Sequence, residues 1–490
     1  MPFFPAVVAL ACLLLMAPSV APAEARDEAR AGATGSARLA LSDCRLRSEG
    51  APGVSARCGT LTVPEDYAAP GERGITLRVA VVPTLSAHPG EPLFVLAGGP
   101  GQAATDFYSA VAPAFGFVAR HHDVVLVDQR GTGGSQPLKC QLPEDPVASQ
   151  ASLAQLEALS RACLRSLDGR PAFYTTSVAV RDLDAVREAL GIPQLSLYGA
   201  SYGTRVAQHF VRRYPDRVRR VILDGVVDPS TVVGATATAD SAAALAKVLA
   251  RCAANARCHA TFPDPAADLA AAKARVGARP VAVALADPAT GAPRDVTISD
   301  DELSGALRLL SYSGASAALI PLLLHSAAAG DFRPLAAQVL LYGQKLDAHL
   351  AYGMHLAVVC TEDAPDFPPG SATSADRQLA ALAAMCRPWP AGVRDADLRA
   401  PLRAAVPALV LSGEADPVTP AANGDRAAAG FAGARHLVLP GQGHGQLGTG
   451  CVPELMAAFL GEAAASALDT HCIDRLRPAP FFLDYAGPAP

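Results

Sequence analysis

Short apolar runs closed by glycine recur along this chain, and they limit its fold more than any other feature. "PLFVLAGG", "DVVLVDQRG", "QLSLYGA", "VRRVILDG", "PALVLSG" and "RHLVLPG" are each short and mostly apolar. Such runs suit strands buried on both faces of a parallel sheet. Helical stretches lie between them. "TSVAVRDLDAVREALGI" spaces Val180, Leu183, Val186, Ala189 and Leu190 along one helical face, with Thr and Ser placed to cap its start. "YGTRVAQHFVRRYP" is the next helix. Strand and helix alternate, so the expected fold is α/β with a mostly parallel sheet. "ITLRVAVVPT" alternates instead, as a partly exposed strand does.

After Gly225 the rhythm breaks. From about 228 to 400 the chain is rich in Ala and Leu, as in "ADSAAALAKVLARC" and "SGASAALIPLLLHSAAAG", with Pro-rich interruptions. Strand and helix then return. The expected organisation is a core in two parts, 41–227 and 401–490, with a helical cap inserted at 228–400. The cap would cover the carboxyl ends of the strands, where open α/β sheets bind ligands. Ahead of the core, "AVVALACLLLMAPSV" followed by "APAEA" reads as a signal peptide over 1–25, and 26–40 as a flexible leader. The apolar run is short for a membrane span, so no stable membrane insertion is expected after its removal.

Net charge is −5, which leaves no basic footprint for nucleic acid. Of eleven cysteines, ten remain once Cys12 leaves with the signal peptide. No C-x-x-C pair is present, so structural zinc and thioredoxin-type chemistry are disfavoured. Exported to the periplasm or beyond, these cysteines would pair with near neighbours, because short loops close most readily: Cys44–Cys58, Cys140–Cys163, Cys252–Cys258, Cys360–Cys386 and Cys451–Cys472.

The chemistry begins at "GASYG", Gly199 to Gly203. Gly-x-Ser-x-Gly between a strand and a helix describes a nucleophile elbow, with Ser201 projecting above the sheet at a helix N-terminus. A serine nucleophile needs a base, and the base an orienting acid. Asp416 in "LVLSGEADPVTP" and His444 in "LVLPGQGHGQL" follow late strands in the required order. Glu414 and Asp224 are other acids at strand ends; His436, His355 and His471 lack a matching context. A tetrahedral oxyanion needs donors. The backbone N–H of Tyr202 is one, and "LAGGPGQ" offers the second at Gly99. No P-loop pattern appears, and the residues call for no cofactor and no metal.

In order, "GGPG", "DQRGTGGS", "GASYG", "GEADPVTP" and "GQGHG" resemble the proline iminopeptidase and tripeptidyl aminopeptidase branch of the α/β-hydrolases. The resemblance spans nearly all of the chain after the leader and is thin through the insertion. It implies an exported serine exopeptidase acting on a free N-terminus, with Ser201, Asp416 and His444 as triad and Gly99 and Tyr202 as oxyanion hole. Ala97 stands where proline iminopeptidases usually carry His, which leaves proline specificity open. A carboxylesterase with the same triad is the main rival, and a silent binding protein a more distant one; the substrate is a peptide or a small acyl compound. An aminopeptidase must read the substrate ammonium with a carboxylate. Glu362 and Asp363 in "AVVCTEDAPDF" are the expected readers, on a loop held by Cys360, and the resemblance also places such acids in the lid.

Overall fold

The glycine-closed apolar runs form the centre of the molecule. A computed structural model describes residues 39–48, 51–140, 151–371, 376–461 and 464–488, with the backbone alone for 342–349. The signal peptide and nearly all of the leader lie outside the described residues. The first core part begins with strands β1 (Ser42–Leu46), β2 (Val54–Pro64), β3 (Gly74–Val82) and β4 (Leu93–Leu96), then helix α1 (Ala104–Val111) and β5 (Val124–Val127). Helices α2 (Leu153–Ser166) and α3 (Thr176–Ala189), strand β6 (Leu195–Ala200), α4 (Tyr202–Arg213) and β7 (Val218–Asp224) complete it.

The inserted stretch holds α5 (Ala237–Ala254), α6 (Ala256–Thr261) and α7 (Pro265–Ala278), then an antiparallel hairpin of β8 (Val281–Ala286) and β9 (Pro293–Ile298). It continues with α8 (Asp300–Leu310), α9 (Gly314–Ala317), α10 (Ile320–Ala329), α11 (Arg333–His349), α12 (Tyr352–Glu362) and α13 (Arg377–Cys386). The chain returns through β10 (Ala408–Gly413), α14 (Ala421–Ala428), β11 (Arg435–Leu439), α15 (Val452–Leu460) and α16 (His471–Asp474).

The main sheet has nine strands in the order β1-β2-β3-β5-β4-β6-β7-β10-β11. From β5 to β11 neighbours pair in parallel; β1, β2 and β3 add an antiparallel wing. The parallel strands are buried on both faces because their alternate residues enter two different cores. Phe94, Val125, Leu197, Leu223 and Val410 join α3, α4 and α14 on one side. Val95, Leu126, Tyr198, Ile222 and Leu411 join α1 and α15 on the other. Isolated helices of this length are marginal in water, while each fully buried Leu, Val or Phe contributes about 1.5–3 kcal/mol. Packing on the sheet is therefore what holds α3 and α4 in place.

The insertion has a third core of its own, with Leu245, Leu249, Ala272, Leu303, Leu310 and Leu324 among its residues. Its helix α12 departs from this arrangement. Met354, Leu356, Ala357 and Val358 enter the same cluster as the sheet. The β8–β9 hairpin was not expected from the sequence: its burial alternates only weakly and its second strand is largely exposed. The capping expected at the start of α3 is also replaced. The Thr176 hydroxyl donates to Glu362 at 2.9 Å, and the Ser177 hydroxyl accepts from the Asp395 N–H at 2.9 Å. One is drawn to the last residue of α12 and the other to the chain that follows it.

Five disulfides pair each described cysteine with its sequence neighbour: Cys44–Cys58, Cys140–Cys163, Cys252–Cys258, Cys360–Cys386 and Cys451–Cys472. Cys360–Cys386 ties α12 to α13, and Cys451–Cys472 ties the start of α15 to α16. Among the described residues no helix is long and apolar enough to cross a membrane.

Candidate active site

Ser201 stands between β6 and α4 with φ 53° and ψ −122°. A left-handed backbone on a side-chain-bearing residue costs about 1–3 kcal/mol and persists only where the surroundings impose it. Here they do. The Ser201 N–H donates to the Asp224 carbonyl at 2.8 Å, and the Ser201 carbonyl accepts from the Thr204 hydroxyl. Gly203 is required by close approach: a Cβ there would lie 2.3 Å from the Leu96 carbonyl oxygen. The end of β4 thus presses on the first turn of α4. The glycine loop after β4 then passes directly over the serine, since a Cβ on Gly98 would sit 3.2 Å from the Ser201 Cβ. Gly99, the residue singled out from the sequence, has φ 104° and packs against Leu350. Tyr202 opens α4, so its N–H belongs to the first turn, which has no internal acceptor.

Asp416 and His444 meet at the ends of β10 and β11. The His444 Nδ1 lies 2.8 Å from Asp416 Oδ2. Asp416 also accepts from the Val418 and Thr419 N–H groups at 2.8 and 2.9 Å and from the Thr419 hydroxyl at 2.7 Å. This turn fixes the carboxylate without help from the histidine. The Thr419 hydroxyl is also 3.1 Å from His444 Nδ1. From the other side, the His444 N–H donates to the Tyr312 carbonyl at 2.7 Å, and the Tyr312 ring meets the imidazole edge-on at 5.3 Å. A Cβ at Gly443 would fall 2.3 Å from the Ser311 carbonyl oxygen, so the glycine before His444 admits this contact with the insertion.

The imidazole lies against the same strand end that holds Ser201. A Cβ built on Gly225 would be 2.9 Å from His444 Cε1, and the preceding residue, Asp224, takes the Ser201 N–H. With Nδ1 turned to Asp416, Nε2 is the nitrogen left to face a reacting group. Burial pushes His444 toward its neutral form, but the Asp416 charge and hydrogen bond outweigh it, and its pKa stands above the ordinary histidine value. Burial likewise pushes Asp416 up, and His444 with Thr419 brings it below the usual carboxylate range. Each group is set for a charged imidazolium to be tolerated beside a fixed carboxylate.

The other strand-end acids take different places. Glu414 accepts from the Gly441 N–H at 2.7 Å and caps the turn ahead of His444. Asp224 accepts from the Gln446 N–H at 2.7 and 2.9 Å and from the Tyr198 hydroxyl at 2.8 Å, pinning the histidine loop from beneath. Burial lifts its carboxyl to about 6. His436 is held between Asp425 and Ser412, His471 sits on exposed Asp469, and His355 lies behind the glycine loop, 3.3 Å from the Pro100 carbonyl.

Glu362 and Asp363 meet a different cation from the one expected. Both are fully buried, and the group in front of them is Arg205 of α4. Asp363 accepts from both Arg205 terminal nitrogens at 2.9 Å, from Arg399 at 2.7 Å and from the Val233 N–H at 2.8 Å. Glu362 accepts from the Thr176 N–H at 2.6 Å, the Thr176 hydroxyl at 2.9 Å and Arg205 at 3.3 Å. The Thr176 hydroxyl also lies 2.7 Å from the Tyr202 hydroxyl. Through these bonds the pair clamps α12 onto the elbow helix. Burial raises Glu362 more than Arg205 lowers it, whereas for Asp363 the two guanidinium groups win and its pKa is lowered. Arg205, Thr176, Thr419 and Tyr312 were not among the site residues that the sequence singled out. Only Thr419 carries a local signal, since Asp-x-x-Thr is a turn in which both side chains bond the backbone or each other.

Comparison with known proteins matches this geometry to a family. The family described as alpha/beta hydrolase fold matches residues 91–245, and the family described as TAP-like protein matches residues 372–472. A tripeptidyl aminopeptidase of Streptomyces lividans is 35% identical over 193 residues, 36% of this chain and 36% of the relative. Carboxylesterase B of Mycobacterium tuberculosis is 34% identical over 194 residues, 36% of this chain and 37% of the relative. Serine protease Hip1 of the same species is 32% identical over 191 residues, 36% of each. The matched stretch spans little more than a third of these relatives' length. The parallel sheet, the elbow and the match over residues 91–245 give this chain the α/β-hydrolase fold, and its residues 372–472 are similar to TAP-like proteins.

Proposed function

We propose that the protein is an exported serine aminopeptidase that releases residues from a free N-terminus through an acyl-enzyme. The observation that carries this reading is the buried Asp416 carboxylate on His444 Nδ1, at 2.8 Å, beside the strained Ser201 elbow. In the proposed reaction His444 Nε2 takes the Ser201 proton as Oγ attacks the scissile carbonyl. The Tyr202 N–H and an N–H of the Gly98–Gly99 loop receive the oxyanion. The imidazolium returns its proton to the leaving amine, and water, activated by the same histidine, releases the acyl part. The five disulfides and the apolar N-terminal run support an oxidising compartment.

In the same reading residues 228–400 act as a cap. The Ser241 hydroxyl reaches the Pro417 carbonyl at 3.3 Å, the Lys247 ammonium reaches the Glu414 carbonyl at 2.7 Å, and Tyr312 packs on His444. The insertion therefore touches the acid loop and the base. Peptidase action is favoured by the relatives named as an aminopeptidase and a protease; the relative named carboxylesterase B supports the rival. Free and N-acetylated peptidyl anilides assayed beside short nitrophenyl esters decide between them. The aminopeptidase cleaves free-amine peptides and discriminates against the acetylated forms. Turnover of esters alone establishes the carboxylesterase instead.

A further inference from the structure

One residue touches both the nucleophile and the loop of the base, and the reaction proposed above makes no use of it. Asp224 closes β7, the strand paired with the one that leads to Ser201, and it is 1% exposed. Its backbone carbonyl accepts the Ser201 N–H at 2.8 Å. Its carboxylate accepts the N–H of Gln446, two residues past His444, at 2.7 Å through Oδ1 and 2.9 Å through Oδ2. Gly225 follows with φ 65° and leaves room for the imidazole, since a Cβ there would lie 2.9 Å from His444 Cε1.

Gln446 passes this hold on to the base. It is fully buried, and its side-chain amide donates to the Gly443 carbonyl at 2.8 Å. The turn from Gly443 to Gln446, with His444 inside it, is thus closed on itself and tied to β7 by Asp224. The charge of Asp224 matters here, because the groups on its carboxylate donate: the Gln446 N–H and the Tyr198 hydroxyl of β6, at 2.8 Å. A neutral carboxyl turns one oxygen from acceptor to donor and loosens one of these bonds. The titratable groups that bear on it are Tyr198, His444 and Asp416. Burial keeps Tyr198 protonated. Burial and Asp416 raise the Asp224 pKa, Tyr198, the Gln446 N–H and His444 lower it, and it stands at about 6.

Resting on the triad reading, we propose that Asp224 is a positioning residue for this reaction: in its ionised form it holds the His444 loop at the distance from Ser201 that proton transfer needs. Asp416 orients the imidazole, and Asp224 places the loop that carries it. No bond to substrate is made or broken at Asp224. Its effect is on geometry, where a displacement of about 1 Å costs about a hundredfold in rate.

The test follows nitrophenyl acetate turnover, and the rate at which a phosphonofluoridate labels Ser201, from about pH 5 to about pH 9. In wild type, log kcat/KM and log labelling rate should fall with a slope of one below the His444 limb. The slope should become two below about pH 6, where Asp224 also takes a proton. Asp224→Asn should lower kcat and the labelling rate about tenfold to a hundredfold, the worth of one charge-assisted hydrogen bond, with KM little changed. Its acidic limb should keep a slope of one throughout. Tyr198→Phe supplies an independent arm, because it removes only a hydroxyl from a ring packed against Phe107 and Phe115. It withdraws a hydrogen bond from the ionised carboxylate, so the second break should move up in pH while the slope of two remains. A residue that serves folding alone would lower the thermal transition in Asp224→Asn and leave kcat, labelling rate and slope of the folded protein at wild-type values, and that result overturns the proposal. A slope of one down to about pH 5 in wild type, or a second break unmoved by Tyr198→Phe, overturns it as well and leaves the triad standing. Active wild-type protein in which Ser201 is not labelled overturns the triad reading, and the proposal with it.

Discussion

Asp416 and Asp363 are both buried carboxylates, and each accepts four hydrogen bonds. Both are held below the usual carboxylate range against the opposing effect of burial. By depth and charge they are alike. They differ in what faces them. Asp416 meets an imidazole, which can gain and lose a proton near neutrality and has a second nitrogen to present. Asp363 meets Arg205 and Arg399, whose guanidinium groups keep their protons in proteins. In the proposed mechanism one carboxylate orients a group that reacts; the other locks two helices together. Burial and a displaced pKa do not separate the two, whereas the chemistry of the partner does.

The comparison can be broken in order of effect. Ser201→Ala sets the floor: turnover should fall about 10⁴- to 10⁶-fold while the thermal transition stays near wild type. A phosphonofluoridate that labels another residue in active protein would remove Ser201 from the reaction. Asp416→Asn should follow, with kcat lowered about 10⁴-fold, because the amide favours the wrong imidazole tautomer. Asp363→Asn should do the reverse. It takes the shortest-paired carboxylate from Arg205 and Arg399 and leaves them facing Glu362 and Asp366, so stability should drop by about 3 kcal/mol in denaturant unfolding. The protein that remains folded should keep kcat within about tenfold, since these groups touch no reacting atom. Equal loss of kcat in the two Asp→Asn variants would erase the distinction.

The smallest effect is on pH. Asp416 raises the His444 pKa, so the acidic limb of kcat/KM should lie above 6.5. In Asp416→Asn the residual activity should show that limb moved down, and an unmoved limb would mean another group sets it. Glu362→Gln removes a carboxyl whose partners are Thr176 and Arg205, and it should leave the limb where it is.

Much of the architecture is written in the sequence because its signals are local. Buried parallel strands announce themselves as unbroken apolar runs, and the turn at Ser201 is a five-residue pattern between two such elements. Asp416 and His444 follow the last two runs in the chain order a triad needs, although Glu414 and Asp224 share the strand-end position. The clamp on α4 gives no such sign. Arg205 and Asp363 are 158 residues apart, and Thr176 and Glu362 are 186 apart. An acidic pair after an apolar helix is equally compatible with a ligand site, a solvated loop or a buried partner for a distant arginine. The β8–β9 hairpin stayed hidden for another reason. Its strands are short, and β9 offers little apolar alternation to read. Thr176 and Ser177 look like helix caps locally, and only tertiary contacts show their hydroxyls engaged elsewhere.

The order of the disulfides has a consequence for how the chain can be made. Each described cysteine is bonded to the next one along, with separations of 14, 23, 6, 26 and 21 residues. No bond encloses another and none straddles another. A chain presented to an oxidant from its N-terminus therefore always has the correct partner as the next thiol to arrive. Oxidation can keep pace with delivery, and each bond closes before a competing thiol is within reach. Such a pattern asks little of an isomerase, because there is little history to undo.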